Sequence, residues 1–177
     1  RKGEFNKAEA FLKKALTIHE NNKAKGNYAQ TLVDLGSLYS SQGTKNRGKE
    51  YFLRALKIDE ELFGKSDLRL YYTLNELGLS YLALFENKKA EETFLRNLDI
   101  IKKHFSKDNS RYGETLNNLA SVYYREGNLS KVEEIFKERI KIEQGKYGPS
   151  HSSLATYKYN LSTIYYEQKK YKESKFY

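Results

Sequence analysis

The chain offers few residues that could do covalent or metal chemistry. His19, His104 and His151 are its three histidines, and none stands at ligand spacing to a second histidine. Cysteine is absent, which removes disulfides, thiol catalysis and cysteine-type zinc sites. No phosphate-binding glycine loop, nucleophile elbow, zinc-protease helix or dinucleotide fingerprint occurs. His19 and His104 fall near expected helix C-termini, where a cation suits the macrodipole, and His151 falls in a connector. Carboxylates alternate with lysines, as on a solvated helix face. The expectation is therefore no enzyme, no cofactor and no metal site. What remains is the chemistry of recognition, carried by amides and phenols. Tyrosine alone fills 16 positions.

The elements that must position these groups are written as a repeat. Residues 31–39 read TLVDLGSLY, residues 73–81 TLNELGLSY and residues 115–123 TLNNLASVY. A shift of 42 aligns Leu35, Leu77, Leu119 and Leu161, and equally Tyr39, Tyr81, Tyr123 and Tyr165. It also aligns Gly36, Gly78, Ala120 and Ser162, all small, and Phe52, Phe94 and Phe136. Leu32, Leu35, Gly36 and Tyr39 form one stripe of an α-helix. A breaker such as Gln42-Gly43-Thr44 follows, then a second helical stripe through Phe52, Ala55 and Leu56. Each unit is thus helix A, a turn, helix B and a connector. The small residue lets helix A approach helix B closely.

The pattern predicts a lone helix B over about 6–19. Pairs follow at about 27–41 with 46–62, 68–84 with 88–104, and 110–126 with 130–145, then a helix A over about 152–168 and a partial helix B from Lys170. Pro149, the one proline, lies in a connector. The units are 1–26, 27–67, 68–109, 110–151 and 152–177, with no linker or second domain. The chain begins with Arg1, opens on a helix B lacking its partner and closes inside another. We read it as a segment of a longer array, truncated at both ends, whose end faces would stack on other copies.

Composition narrows the function. No run approaches the ~18 apolar residues that span a bilayer, and no signal-peptide pattern opens the chain. A cytoplasmic setting is the default expectation. Two glycosylation sequons, at Asn128 and Asn160, lie in helical context and read as chance. The net charge of +9 invites a nucleic-acid or acidic partner, so the location of that charge matters.

The repeat resembles the tetratricopeptide family. Leu32, Leu35, Gly36, Tyr39, Gly48, Phe52 and Ala55 match its signature, as do the counterparts of the first six 42 and 84 residues on. The long period and Leu116-Asn117-Asn118-Leu119-Ala120 look like the kinesin-light-chain-like subclass, and Gly148-Pro149-Ser150-His151 echoes its connector. The resemblance implies an all-α, right-handed superhelical solenoid of antiparallel helix pairs. Asn97 and Arg139 depart from it, because each stands where an alanine is expected.

The resemblance also implies that helix A lines a concave groove. Its lining positions would be Gln30, Val33, Ser37, Ser40 and Ser41, then Tyr72, Asn75, Leu79, Leu82 and Ala83. The later units add Glu114, Asn117, Ser121, Tyr124 and Arg125, then Thr156, Tyr159, Thr163, Tyr166 and Glu167. The candidates that suit an extended peptide are Asn75, Asn117, Ser121, Tyr124, Arg125, Tyr159 and Tyr166. Arg125 is the one basic residue of the twenty, so the positive charge lies elsewhere, on helices B and connectors. A neutral groove argues against nucleic acid there. The main expectation is a protein-interaction scaffold that binds an extended peptide or a helix of a partner. The alternatives are nucleic-acid binding by the lysine-bearing convex surface, and a regulatory arm of a larger effector such as a CHAT-type peptidase fusion.

Overall fold

A computed structural model describes residues 2–175 of the chain. Among these residues the α-helices are α1 (Lys2–Asn21), α2 (Lys25–Ser41), α3 (Lys45–Phe63), α4 (Tyr71–Ala83), α5 (Asn87–His104), α6 (Ser110–Arg125), α7 (Leu129–Tyr147), α8 (Ser153–Glu167) and α9 (Tyr171–Ser174). No strand occurs among them, and the all-α class expected from the periodicity is the one observed. The described residues divide into two compact units, one reaching to Ile100 and one starting at Ile101. The last residues of the expected partial helix B, Phe176 and Tyr177, lie outside the described residues, as does Arg1.

Helix ends differ from the expected bounds by a few residues. The expected helix from 68 begins as a 3-10 turn, Leu68–Leu70, because Asp67 caps it by accepting the Arg69 N–H at 2.9 Å. α1 starts earlier than expected, and α7 runs on to Tyr147.

The recurring turns have a common construction. Gly43, Phe85, Gly127 and Lys169 stand 42 apart, and all have positive φ, between 61° and 81°. Such a left-handed residue ends a helix by turning the next N–H back onto it. The N–H groups of Thr44, Glu86, Asn128 and Lys170 donate to the carbonyls of Tyr39, Tyr81, Tyr123 and Tyr165, at 2.8–3.0 Å. The repeated tyrosine thus supplies a backbone acceptor as well as a ring.

In the first unit the core is Leu32, Phe52, Ala55, Leu70, Leu74 and Leu77, with Ile100 behind them. The Phe52 ring sits directly on Gly36, where an added Cβ would lie 2.6 Å from Cε1. Phe94 sits on Gly78 in the same way, at 2.5 Å. Both rings are fully buried, a burial worth about 2 kcal/mol each. The second unit has its own core of Ile140, Leu154, Leu161 and Tyr165. There the small position is Ala120, and Phe136 is partly buried, packed against that core.

The two departures from alanine are buried and bonded. Asn97 is fully buried in α5, and its Nδ2 donates to the Tyr71 carbonyl at 3.1 Å. Arg139, 8% exposed, donates to Glu143 at 3.1 Å and to the Tyr157 hydroxyl. Gly113 makes room for its guanidinium, since a Cβ there would meet Nη1. A buried ion pair of this kind is helped by further hydrogen bonds, and Ser153 supplies one by donating to Glu143 at 2.9 Å.

Candidate peptide-binding cleft

Within the first unit α2 and α4 come into backbone contact. Val33 and Leu82, expected in the groove, are buried instead. Val33 joins the core cluster, because an apolar side chain at the edge of the core stripe gains more from burial than from facing water. Asn75 is half-buried, and its Nδ2 donates to Glu76 at 3.3 Å. Burial pushes the Glu76 carboxyl above its ordinary range, against the lowering effect of that hydrogen bond.

Within the second unit a cleft of about 990 Å³ opens between α6 and α8. Its walls hold Asn117, Ser121, Tyr124 and Arg125 from α6, and Tyr159 and Thr163 from α8. Its floor is apolar, formed by Ala120, Val132, Phe136 and Ile164. Five of the seven candidate residues therefore share one cavity. Tyr166 follows Tyr159 by two helical turns on the same face of α8 and stacks edge-on against Tyr171 at 5.5 Å. Asn75 belongs to the other unit. Tyr124, Tyr159 and Tyr166 are 50%, 72% and 65% exposed, large for rings that the core could have absorbed.

The chemistry of the walls is uneven. Tyr124 donates to Glu167 at 2.9 Å and so joins α6 to the end of α8. Its phenol is held above the usual range by that hydrogen bond. Ser121 and Thr163 donate to carbonyls of their own helices, at 3.1 Å each. At the far end, Glu143, Ser153 and Tyr157 also line the cleft. The Arg139–Glu143 pair behind that end was not visible in the sequence. An arginine at an alanine position was the available signal, and Gly113, opposite in space, was its counterpart.

The three histidines hold no common site, and no group of three metal-ligating side chains occurs among the described residues. His151 stacks on Tyr147 at 4.5 Å, and its Nδ1 accepts the Ser153 N–H at 3.2 Å. Three basic residues recur in one arrangement. Arg47, Lys89 and Lys131, again 42 apart, lie over the rings of Tyr39, Tyr81 and Tyr123 at 3.9, 5.5 and 4.2 Å. No helix of the described residues is long and apolar enough to cross a membrane.

Tetratricopeptide repeat profiles match residues 29–62, 69–144 and 113–177. The chain belongs to the tetratricopeptide repeat family. Tetratricopeptide arrays serve in general as non-catalytic protein-interaction scaffolds. No curated protein matches this one by sequence. Solved structures share the fold. BtubC (BKLC) from P. vanneervenii superposes with a TM-score of 0.86 at 20% identity, over 98% of this chain and 70% of that one. The nearly identical TPR-like repeats of a kinesin light chain from Podosopora anserina give 0.84 at 16%, over 98% and 83%. MamA gives 0.67 at 22%, over 98% and 84%. The fold is thus shared with kinesin-light-chain repeats, among others.

Proposed function

We propose that the α6–α8 cleft is where this tetratricopeptide scaffold holds an extended peptide of a partner protein. The observation that carries the reading is the cleft itself, with five of the seven candidate residues around an apolar floor. Carboxamides such as Asn117 can pair with both the N–H and the C=O of a bound backbone. Exposed tyrosines give contact area at low entropic cost. A pocket of several hundred cubic ångströms with convergent polar groups is the usual form of a ligand site.

The test is selection of a random-peptide library on the intact protein, followed by titration of the enriched peptides. Asn117→Ala and Tyr166→Ala should each weaken binding roughly tenfold, about 1.4 kcal/mol. Circular dichroism should be unchanged, since both side chains are exposed. Equal affinity in wild type and both variants would place the binding surface elsewhere.

A further inference from the structure

Three residues near the far end of the cleft break the repeat together. Tyr157 stands where the earlier copies have Thr31, Thr73 and Thr115, and Arg139 where they have Ala55 and Asn97. Gly113 stands where they have Ala29 and Tyr71. The three meet in space. The Arg139 guanidinium fills the room that a Cβ on Gly113 would take, and lies over the Tyr157 ring at 4.7 Å. It donates to the Tyr157 hydroxyl, and to Glu143 at 3.1 Å. The first unit forms its helix pairs without such a network. A buried ion pair is also a weak source of stability, because apolar groups of the same volume often do as well. What sets this network apart is its place, since Glu143, Ser153 and Tyr157 line the cleft.

The polar atoms at that end are only partly used. The Tyr157 oxygen accepts from Arg139 Nη2, and that bond leaves over the one proton a phenol can give. Glu143 accepts one bond on each oxygen, Oε1 from Arg139 and Oε2 from Ser153. Each carboxylate oxygen has a second lone pair. Oε1 and the Tyr157 hydroxyl are neighbours, because the same nitrogen, Arg139 Nη2, donates to both. One donor and one acceptor thus stand side by side. Their charge is already balanced by the Arg139–Glu143 pair, so an ion placed there would lack a counter-charge. An alkyl group would leave both partners dry and unpaired. The matching group is neutral, and it accepts and donates through two separate atoms. A primary carboxamide has that form.

Building on the peptide-cleft reading, we infer that the far end of the cleft is a pocket for one glutamine or asparagine side chain of the bound peptide. The side-chain carbonyl accepts the Tyr157 proton, and the side-chain amide donates to Glu143. Arg139 and Gly113 are positioning residues that hold these two partners in place. The experiment selects a random dodecapeptide library on the intact wild-type protein and, in parallel, on Tyr157→Phe. Wild type should enrich Gln or Asn at one fixed position. Tyr157→Phe keeps the ring and loses the proton, so it should enrich the same flanking residues without the carboxamide. In titrations, changing that residue of a selected peptide to Leu or Glu should weaken binding to wild type about tenfold, near 1.4 kcal/mol. On Tyr157→Phe the same change should stay within about threefold. That ratio compares two peptides on one protein, so a purely structural role of Tyr157 does not move it. Selected peptides with no fixed carboxamide, or with a charged residue in its place, would overturn the pocket and leave the cleft reading standing. A carboxamide preference equally strong on Tyr157→Phe would overturn the assignment to this end. If no peptide is enriched at all, the cleft reading fails and the pocket with it.

Discussion

The two units present the same helix-A positions in opposite ways. At the position where the first unit has Val33 and Asn75, buried and half-buried, the second has Asn117 and Tyr159, both exposed. Where the first has Ser40 and Leu82, the second has Tyr124 and Tyr166. The first unit closes on glycine-seated rings, with α2 and α4 touching. The second carries Ala120 in place of glycine, a partly buried Phe136 and an open cleft. One repeat thus gives a packed face or an open face, with exchanges at the edge of the core stripe.

The comparison can be broken most severely at Arg139. The first unit has Ala55 at the matching position, buried and apolar. Restoring that alanine by Arg139→Ala should nonetheless destabilise the protein by about 3–5 kcal/mol, because Glu143 would remain buried without its partner. Urea unfolding measures this. A neutral or stabilising result would show that the pair contributes nothing to the second unit.

Next in size is Gly78→Ala. The new methyl would stand 2.5 Å from Phe94 Cε1, so the first unit should lose about 2 kcal/mol by overpacking. The second unit carries Ala120 at this position, and its Phe136 is only partly buried. If Gly78→Ala leaves the melting temperature unchanged, the glycine seat does not explain why Phe94 is buried and Phe136 is not.

Acid should act on the second unit through Glu133. Burial pushes this carboxyl up, but hydrogen bonds from Lys137 and Lys170 outweigh it and hold it at about 2, below the ordinary 4.5. A carboxylate with a lowered folded value stabilises fully above about pH 4.5 and loses that contribution as pH falls through about 2. After solvent screening the effect is on the order of 1 kcal/mol. Chemical denaturation at pH 7 and pH 3 should show the loss in wild type and a smaller one in Glu133→Gln. Identical pH dependence in the two proteins would remove the ion pairs as its source.

The smallest expected effect is a gain. Of the four turns that recur every 42 residues, Gly43 and Gly127 are glycine, Phe85 and Lys169 are not, and all are left-handed. Lys169→Gly should stabilise by about 0.5–1 kcal/mol, since glycine adopts that φ without strain. Destabilisation measured by thermal melting would show that the lysine side chain earns its strained place through a contact.

Much of this was legible in the residues. The 42-residue period marked the helix pairs, because a repeated core stripe must fall on the same helical face in every copy. The family resemblance marked Asn117, Ser121, Tyr124 and Tyr159, and their helical spacing beside that stripe agrees with it. It could not reveal that Val33 and Leu82 turn inward. Both sit one step from the stripe, and whether that step faces water depends on how closely the neighbouring helix A approaches. Nor could it show Gly113 and Arg139 as a pair, because they are 26 residues apart and meet only when α6 packs on α7.

What the sequence by itself determined was the scaffold: helix, turn, helix, with small residue, tyrosine and phenylalanine in register. Those properties are local or periodic, and propensity and amphipathicity act over one or two turns. What only the tertiary structure decided was where the scaffold opens. There Ala120, Val132, Phe136 and Ile164 lie at the floor of a cleft, whereas Val33 of the first unit is buried in the core. Close-packed interiors have little slack, so which edge positions are filled is settled only when the neighbouring helices meet.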